Sequence, residues 1–240
     1  MADEFLSPRR CVERAKKHIA ELDGQVNAWL KTVSDKIAAE SEPQGREHPV
    51  DRKSLYPLEE VAFDTINGLR TALDQACFAA AVAGGNPDPK KAQFPFGDDA
   101  AGLENVINRG CKHIPPDIVA LLRAFKPYPG GNIILWALNK LANTNKHRLL
   151  AEVSVNEKIN ISLVFENGRF FYDPAKKQFT ILPGEGKTES KINVIRFIAF
   201  RNIDPISGDP AVAVLYRLAS EVDGIISAIE AECRRLDFIS

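Results

Sequence analysis

The spacing of apolar residues changes twice along this 240-residue chain, and that change strongly constrains its fold. Up to residue 150 apolar residues recur three or four apart, as in amphipathic helices. Between residues 151 and 201 they alternate with polar residues, as in β-strands, and from residue 209 the helical spacing returns. The pattern predicts an α+β protein with an N-terminal helical bundle, a small antiparallel β-sheet and a long C-terminal helix.

The first and last helices are predicted to be long. The first starts at Ser7, with Ser7 as N-cap and Pro8 in the first helical position, and runs for about eight turns. The last covers residues 209–238. Their narrow apolar stripes suit pairing with each other or across a dimer, so a homodimer is predicted. The stripes are Val12, Ala15, Ile19, Leu22, Val26, Trp29, Val33 and Ile37, and Ala211, Leu215, Leu218, Val222, Ile225, Ile229 and Cys233.

Four further helices are predicted between these two. One covers residues 57–83 and ends at Gly84-Gly85, because paired glycines suit a helix C-terminus. Two shorter helices are predicted near residues 100–109 and 114–125. The last of the four begins after Asn132, which suits an N-cap.

Four or five antiparallel strands are predicted between Ala151 and Arg201. Asn167-Gly168, a strong hairpin signal, separates two of them. The strand over residues 191–201 is apolar on both faces and is predicted to be central in the sheet. We predict one compact domain in three parts: a helical part over 1–150, the sheet over 151–203 and the closing helix over 204–240.

The composition favours a cytoplasmic protein. The N-terminus is too charged for a signal peptide, and no apolar run is long enough to span a membrane. The 4 cysteines are widely scattered, which favours reduced thiols. The 31 basic and 32 acidic residues nearly cancel, so broad nucleic-acid binding is disfavoured while a small basic pocket is not.

Residues 141–150, LANTNKHRLL, are the strongest candidate for a functional site. Polar side chains there follow a mostly apolar helical segment. If the helix continues past Ala142, Asn143 and His147 lie four apart, on the side opposite the buried face. Thr144, Asn145 and Arg148 would then lie towards Leu141. The predicted buried face consists of Ile133, Ile134, Ala137, Leu138 and Leu141.

Two interpretations of this segment remain open. In the structural one, Lys146, His147 and Arg148 complement the negative end of the helix dipole, and the amides satisfy the last carbonyl groups. In the functional one, the imidazole, ammonium and guanidinium groups converge on an anion or a labile proton. That arrangement suits phosphoryl-ester chemistry without a metal.

Arg70 is the second candidate, because it lies inside the apolar arc of its helix with Asp74 one turn later. A buried guanidinium is costly unless it is paired. The order Arg then Asp is the weaker orientation for an intrahelical pair, so Arg70 is predicted to reach beyond its own helix. We predict one polar network of Arg70 and Asp74 with residues 143–148, in which Asp74 and Asn145 are binding residues.

Three motifs carry a resemblance to a known family. "LRTALDQACFAAA", "FPF" and "LANTNKHRLL" resemble a family of uncharacterised bacterial and phage-associated proteins. Its members carry an Arg-x-x-Leu-Asp helix, a Phe-Pro-hydrophobic loop and an Asn-x-Asp-Lys-His-Arg end. The resemblance covers residues 58–150. Asn145 stands where the family usually has Asp, which removes a carboxylate that could orient His147.

More distantly, a helical bundle that ends in a polar cluster with a histidine resembles the HEPN superfamily. That resemblance implies a small, often dimeric helical domain, and many such domains are metal-independent RNases with an Arg-polar…His motif. Asn143 and His147 match the motif in shape, but Ala142 stands where its Arg would precede the Asn. Arg70 or Arg148 would have to substitute for that arginine.

Two function classes follow. The favoured one is a structural, interaction or small-anion-binding domain with a polar Arg/Asp/Asn/His network. The alternative is an RNase-like or nucleotide-acting enzyme. In it His147 acts as the general acid–base, and Arg148, Lys146 and Arg70 stabilise the phosphate charge. No metal or cofactor is predicted, because the chain shows neither paired zinc-ligand spacing nor a phosphate-binding loop motif.

Overall fold

The predicted fold class, α+β, is confirmed by a computed structural model. The structure describes residues 4–39, 51–86, 88–89, 91–147, 153–165, 169–173, 178–182, 188–201, 203–204 and 206–239. The helices are α1 (Leu6–Ala39), α2 (Tyr56–Ala83), α3 (Ala100–Gly110), α4 (Pro116–Ala124), α5 (Ile133–His147) and α6 (Ala211–Arg235), with a 3-10 helix at Arg52–Leu55. The strands are β1 (Val153–Phe165), β2 (Arg169–Asp173), β3 (Gln178–Leu182) and β4 (Thr188–Phe200).

The chain divides into two compact units. The larger unit comprises Met1–Ser154 and Ile198–Ser240, and the smaller comprises Val155–Phe197. In the larger unit α1, α2 and α6 pack on one another, α5 packs on α2 and α6, and α4 packs on α6. The predicted packing of the final helix on the first is therefore confirmed.

The predicted apolar stripes of α1 and α6 lie largely in this core. Every predicted stripe position of α6 is buried, and so are the first five of α1, from Val12 to Val26. Both stripes are largely buried by packing within one chain, so burying them does not require a dimer. The homodimer stays a prediction, and its remaining support is the resemblance to HEPN domains, which are often dimeric.

Local side chains explain where the helices begin and end. Ser7 is not the N-cap of α1, because the helix already begins at Leu6 and the Ser7 hydroxyl donates to Gln75 at 2.9 Å. The end of α2 follows prediction: Gly85 has φ +94, and the amides of Gly85 and Asn86 donate to carbonyl groups of the last helical turn. Asn132 caps α5, since its Oδ1 accepts from two backbone amides at 3.1 Å.

The strand pairing differs from the prediction. β1 pairs with β4, and β2 pairs antiparallel with β3, from Arg169 opposite Leu182 to Asp173 opposite Gln178. β1 and β2, which flank Asn167-Gly168 in the sequence, therefore belong to different sheets. The residues 167–168 themselves lie outside the described part of the chain.

β4 is also not a central strand, because among the described residues its sheet consists of β1 and β4 alone. The apolar residues on both of its faces have another explanation. Ile198, Ala199 and Phe200 at its end are buried in the larger unit, whereas Ile195 is 43% exposed. Burial of Ile198 and Phe200 in the hydrophobic core of the larger unit accounts for the apolar end of β4.

Two further properties bear on the expected class of protein. In the described residues, no helix combines the length and the apolar character that crossing a membrane requires. All four cysteines are free thiols, as their spacing predicted.

Candidate functional site

Helix α5 continues to His147, so the predicted one-turn spacing of Asn143 and His147 holds in the structure. Asn143 is exposed, and its Nδ2 donates to Asn139 Oδ1 at 3.3 Å. The side chains of residues 144–147 and all of Arg148 lie outside the described part of the chain. The roles predicted for Asn145, Lys146, His147 and Arg148 therefore stay predictions.

The buried face of α5 is rotated from the predicted one. Leu135 and Ala142 are buried together with Ala137, Leu138 and Leu141, whereas Ile133 is 39% exposed. Ile133 immediately follows the cap residue Asn132, at the first turn of the helix. Leu135, Leu138 and Ala142 are spaced as one face requires, and that spacing sets the side that packs inward.

Arg70 lies in the middle of α2 and contacts two groups. Its Nη1 lies 3.3 Å from Asp74 Oδ1, one helical turn away. Its guanidinium carbon lies 4.0 Å from the centroid of the Phe96 ring. This distance is well within the range of a cation–π contact. Arg70 therefore reaches beyond its own helix, as predicted, but in the described residues its contact there is the loop that carries Phe96.

Asp74 joins the same loop to α2. Its Oδ1 accepts a hydrogen bond from the backbone amide of Phe94 at 2.9 Å as well as the longer one from Arg70. The Asp74 carboxylate thus balances the guanidinium charge and satisfies a buried backbone donor. Burial lowers the pKa of the Arg70 guanidinium, and Asp74 opposes that shift. The guanidinium remains charged at neutral pH.

Aromatic packing holds the loop in place. The rings of Phe94 and Phe96 lie 5.0 Å apart, and Phe94 also stacks on Phe125 at 6.5 Å. The Gly97 amide donates to the carbonyl of Pro127 at 3.1 Å. A Cβ at Gly97 would lie 2.5 Å from the backbone nitrogen of Leu103, so only glycine fits there. These contacts fix the Phe96 ring beneath Arg70.

The chemistry of this Arg70 cluster (Arg70, Asp74, Phe94 and Phe96) is that of an oriented cation. A guanidinium has five N–H donors. In the described residues one of them, on Nη1, is used by Asp74, which leaves four for a ligand or water. Burial raises the pKa of the neighbouring Cys77 thiol well above its ordinary value, which favours the neutral thiol over the thiolate.

Sequence reasoning selected Arg70 and Asp74 but missed the role of the Phe-Pro-Phe segment. That segment entered only as part of a family resemblance. An available signal was the pair of aromatic residues at alternate positions, close in the chain to a helix with an inward arginine. Helix α5 does pack on α2, but contacts of Arg70 or Asp74 with residues 144–148 lie outside what the structure describes.

A second ion pair lies near the start of α2 and was not predicted. Glu59 is fully buried, and its Oε1 accepts from Arg52 Nη2 at 2.6 Å and from the backbone amide of Val153 at 2.9 Å. Arg52 belongs to the 3-10 helix, and its guanidinium also lies 5.4 Å from the ring centroid of Tyr56. This pair ties the 3-10 helix and the first residue of β1 to α2.

Comparisons of this chain with known proteins identify no relative. No protein-family model, curated protein or solved structure matches the chain. The resemblance to the bacterial and phage-associated family and to HEPN domains therefore stays a prediction. In the described residues, no group of three or more histidine, cysteine, aspartate or glutamate side chains could hold a metal ion.

Proposed function

We propose that this protein is a binding domain that holds a small anion, or an anionic group of a partner, at Arg70. One observation carries the proposal: the Arg70 guanidinium is held by Asp74 and Phe96, yet four of its N–H groups have no acceptor among the described residues. Arginine N–H pairs bind oxyanions with two parallel hydrogen bonds.

The setting of Arg70 favours binding over a purely structural role. Its side chain is 19% exposed, so the guanidinium is largely shielded from water but still reachable. An ion that binds there meets a less polar environment than bulk water, which strengthens the attraction. The ring of Phe96 already restricts the guanidinium, so less side-chain entropy is lost when a ligand binds.

The polar end of α5 is the proposed neighbour of this site. Helix α5 packs on α2, and Asn143 is exposed near the end of α5. In this proposal Asn145 adds a donor to the ligand, in keeping with its predicted binding role, whereas Lys146 and Arg148 contact phosphate only in the enzymatic alternative. The contribution of Asn145 is separable from that of Arg70 by mutation of each residue alone.

The test is a titration with acetate and with inorganic phosphate, followed by calorimetry or NMR. Arg70→Met should weaken anion binding by about tenfold or more, since a hydrogen bond to a charged group contributes roughly 1.5–3 kcal/mol. Arg10→Met is the matched control, because Arg10 is an exposed arginine on α1. Equal binding by both variants and the natural chain would refute the proposal.

A metal-independent RNase or nucleotide-acting enzyme is the second candidate. The observation that favours it is the unbroken course of α5 through His147, which sets Asn143 and His147 one turn apart. His147 would then act as the general acid–base, and Lys146, Arg148 and Arg70 would stabilise the phosphate charge.

RNA cleavage in the presence of a metal chelator distinguishes this candidate. His147→Ala should abolish cleavage without lowering the melting temperature, while His113→Ala, at an exposed position, should retain it. A chain that leaves RNA intact excludes the enzyme. A loss of stability in His147→Ala instead would assign that residue a structural role.

The proposal also includes a cytoplasmic homodimer. Four free thiols suit a reducing compartment. Light scattering at micromolar concentration should give twice the 26.5 kDa mass of one chain. A mass of one chain would count against the dimer and leave the Arg70 proposal intact.

A further inference from the structure

We infer that the anionic group that Arg70 takes is a carboxylate attached to an apolar body, rather than a phosphate. This inference rests on the proposed function and makes its ligand class specific. Three features of the described residues support it: the charge of the Arg70 cluster, the charges of the segment around it, and the exposed part of its aromatic ring.

The Arg70 cluster is formally neutral before a ligand binds. Asp74 Oδ1 lies 3.3 Å from Nη1 of Arg70, so one negative charge already offsets the guanidinium. A phosphate monoester carries roughly 1.5–2 negative charges at neutral pH and would be repelled by Asp74. A carboxylate carries one charge, and its two oxygens match one edge of the guanidinium.

The segment around the loop adds no basic excess. Lys91 precedes the Phe-Pro-Phe segment, and Asp98 and Asp99 follow it, all three exposed. The sum of these three charges is −1. Lys140, on the neighbouring helix α5, lies 5.6 Å from the ring centroid of Trp136. Nucleic-acid backbones are bound by several cations that neutralise several phosphates, and the described residues here do not supply such a set.

The aromatic ring supplies the apolar contact. Phe96 is only partly buried, whereas Phe94 beneath it is 2% exposed. The guanidinium carbon of Arg70 lies 4.0 Å from the centroid of the Phe96 ring, and Phe96 is partly exposed to solvent. A ligand with an apolar group next to its carboxylate would contact the exposed part of the ring while its oxygens meet the N–H groups.

The experiment compares three probes of similar shape: benzoate, phenyl phosphate and benzamide. Calorimetric or NMR titrations should give the tightest binding for benzoate. Arg70→Met should weaken benzoate by about tenfold or more and leave benzamide unchanged, because only a charged partner loses the charge-assisted bond. Arg10→Met should bind all three probes like the natural chain.

Two variants test the supporting features separately. Asp74→Asn retains an acceptor for the Phe94 amide but removes the charge, so phenyl phosphate should gain affinity relative to benzoate. Phe96→Leu removes the ring, so benzoate should lose more affinity than acetate, which has no aromatic group to contact it. Melting temperatures of both variants, measured alongside, show that each remains folded during the titration.

The outcomes separate this inference from the function on which it rests. If phenyl phosphate or a short RNA binds more tightly than benzoate and depends on Arg70, the inference of a carboxylate ligand is refuted. The proposal of an anion-binding site at Arg70 then still holds. The absence of Arg70-dependent binding for every anion would overturn both. An unchanged preference in Asp74→Asn would remove the charge argument and contradict the inference directly.

Discussion

Helix α2 carries two ion pairs that differ in which partner is buried. In the Glu59 pair (Glu59 with Arg52) the carboxylate is 0% exposed and the arginine side chain 40% exposed, at 2.6 Å. In the Arg70 pair (Arg70 with Asp74) the arginine is 19% exposed and the carboxylate 32% exposed, at 3.3 Å. In the first pair the acid is the buried partner, and in the second the base is the less exposed one but is still reached by solvent.

The difference teaches how one helix can use the same chemistry for two purposes. Glu59 Oε1 accepts from Arg52 and from the backbone amide of Val153, so the first pair links three chain segments, while Glu59 Oε2 is buried without a hydrogen-bond partner among the described residues. Arg70 makes one long hydrogen bond, although charge-assisted bonds are typically about 2.7–2.9 Å. We therefore expect the Glu59 pair to stabilise the fold and the Arg70 pair to bind a ligand.

The largest expected effect is the loss of stability in Glu59→Ala. Removal of one partner of a buried ion pair typically costs about 3–5 kcal/mol. We expect about 3 kcal/mol in urea unfolding, because the partly exposed Arg52 can regain water. Glu60→Ala, at the exposed neighbouring position, is the control and should unfold like the natural chain. Equal stability of the two variants would contradict the structural role assigned to the Glu59 pair.

Asp74→Ala should have the next largest effect. It leaves the buried amide of Phe94 without its acceptor, and an unsatisfied buried donor costs about 1–3 kcal/mol. Asp74→Asn should lose less, since the amide oxygen can still accept that hydrogen bond. Urea unfolding of both variants measures the difference. Identical losses would indicate that charge, rather than the hydrogen bond to the loop, sets the stability.

Arg70→Met should change stability by less than about 1 kcal/mol. The pair is long at 3.3 Å and Asp74 is 32% exposed, so water can solvate the carboxylate that is left behind, and Asp74 keeps the Phe94 amide as a partner. Thermal and urea unfolding would measure this value. A loss as large as that of Glu59→Ala would mean that both pairs on α2 are structural, and the two regions would no longer differ.

The smallest effect is expected at a surface pair, Arg123 with Glu104, where two hydrogen bonds measure 2.5 and 3.0 Å. The hydrogen bond from Arg123 lowers the pKa of Glu104. A lowered carboxyl pKa gives stability that is present above the ordinary pKa and lost as the pH falls through the folded pKa. Glu104→Gln should therefore differ slightly from the natural chain at neutral pH and converge with it in acid. A difference that grows in acid would contradict this.

Much of the fold follows from periodicity, because burial of an apolar face acts on every turn of a helix. The α6 stripe from Ala211 to Cys233 and the Schellman end of α2 at Gly85 were predictable for this reason. The strand pairing was not, because β1 pairs with β4, a strand far along the chain, and a local turn signal does not specify such a non-local partner. The apolar residues at the end of β4 are explained by burial of Ile198 and Phe200 in the hydrophobic core of the larger unit.

The candidate site was predictable only in part. An arginine inside an apolar arc is detectable from spacing alone, and so is its partner one turn later. The contact of Arg70 with Phe96 depends on how a loop folds back over α2, which spacing does not specify. The burial of Glu59 was not predicted for a similar reason. A single acidic residue near a helix start is typical of an exposed first turn, whereas the burial of Glu59 depends on its contacts with Arg52 and Val153.

The central claim is that Arg70 is an accessible cation held in place for an anionic ligand. The most direct measurement is an NMR titration of the arginine Nε–Hε resonances with benzoate, with the Arg70 resonance identified by its absence from Arg70→Met. We predict a saturable shift of the Arg70 resonance while that of the exposed Arg10 stays in place. An unmoved Arg70 resonance, or equal shifts of both arginines, would contradict the account.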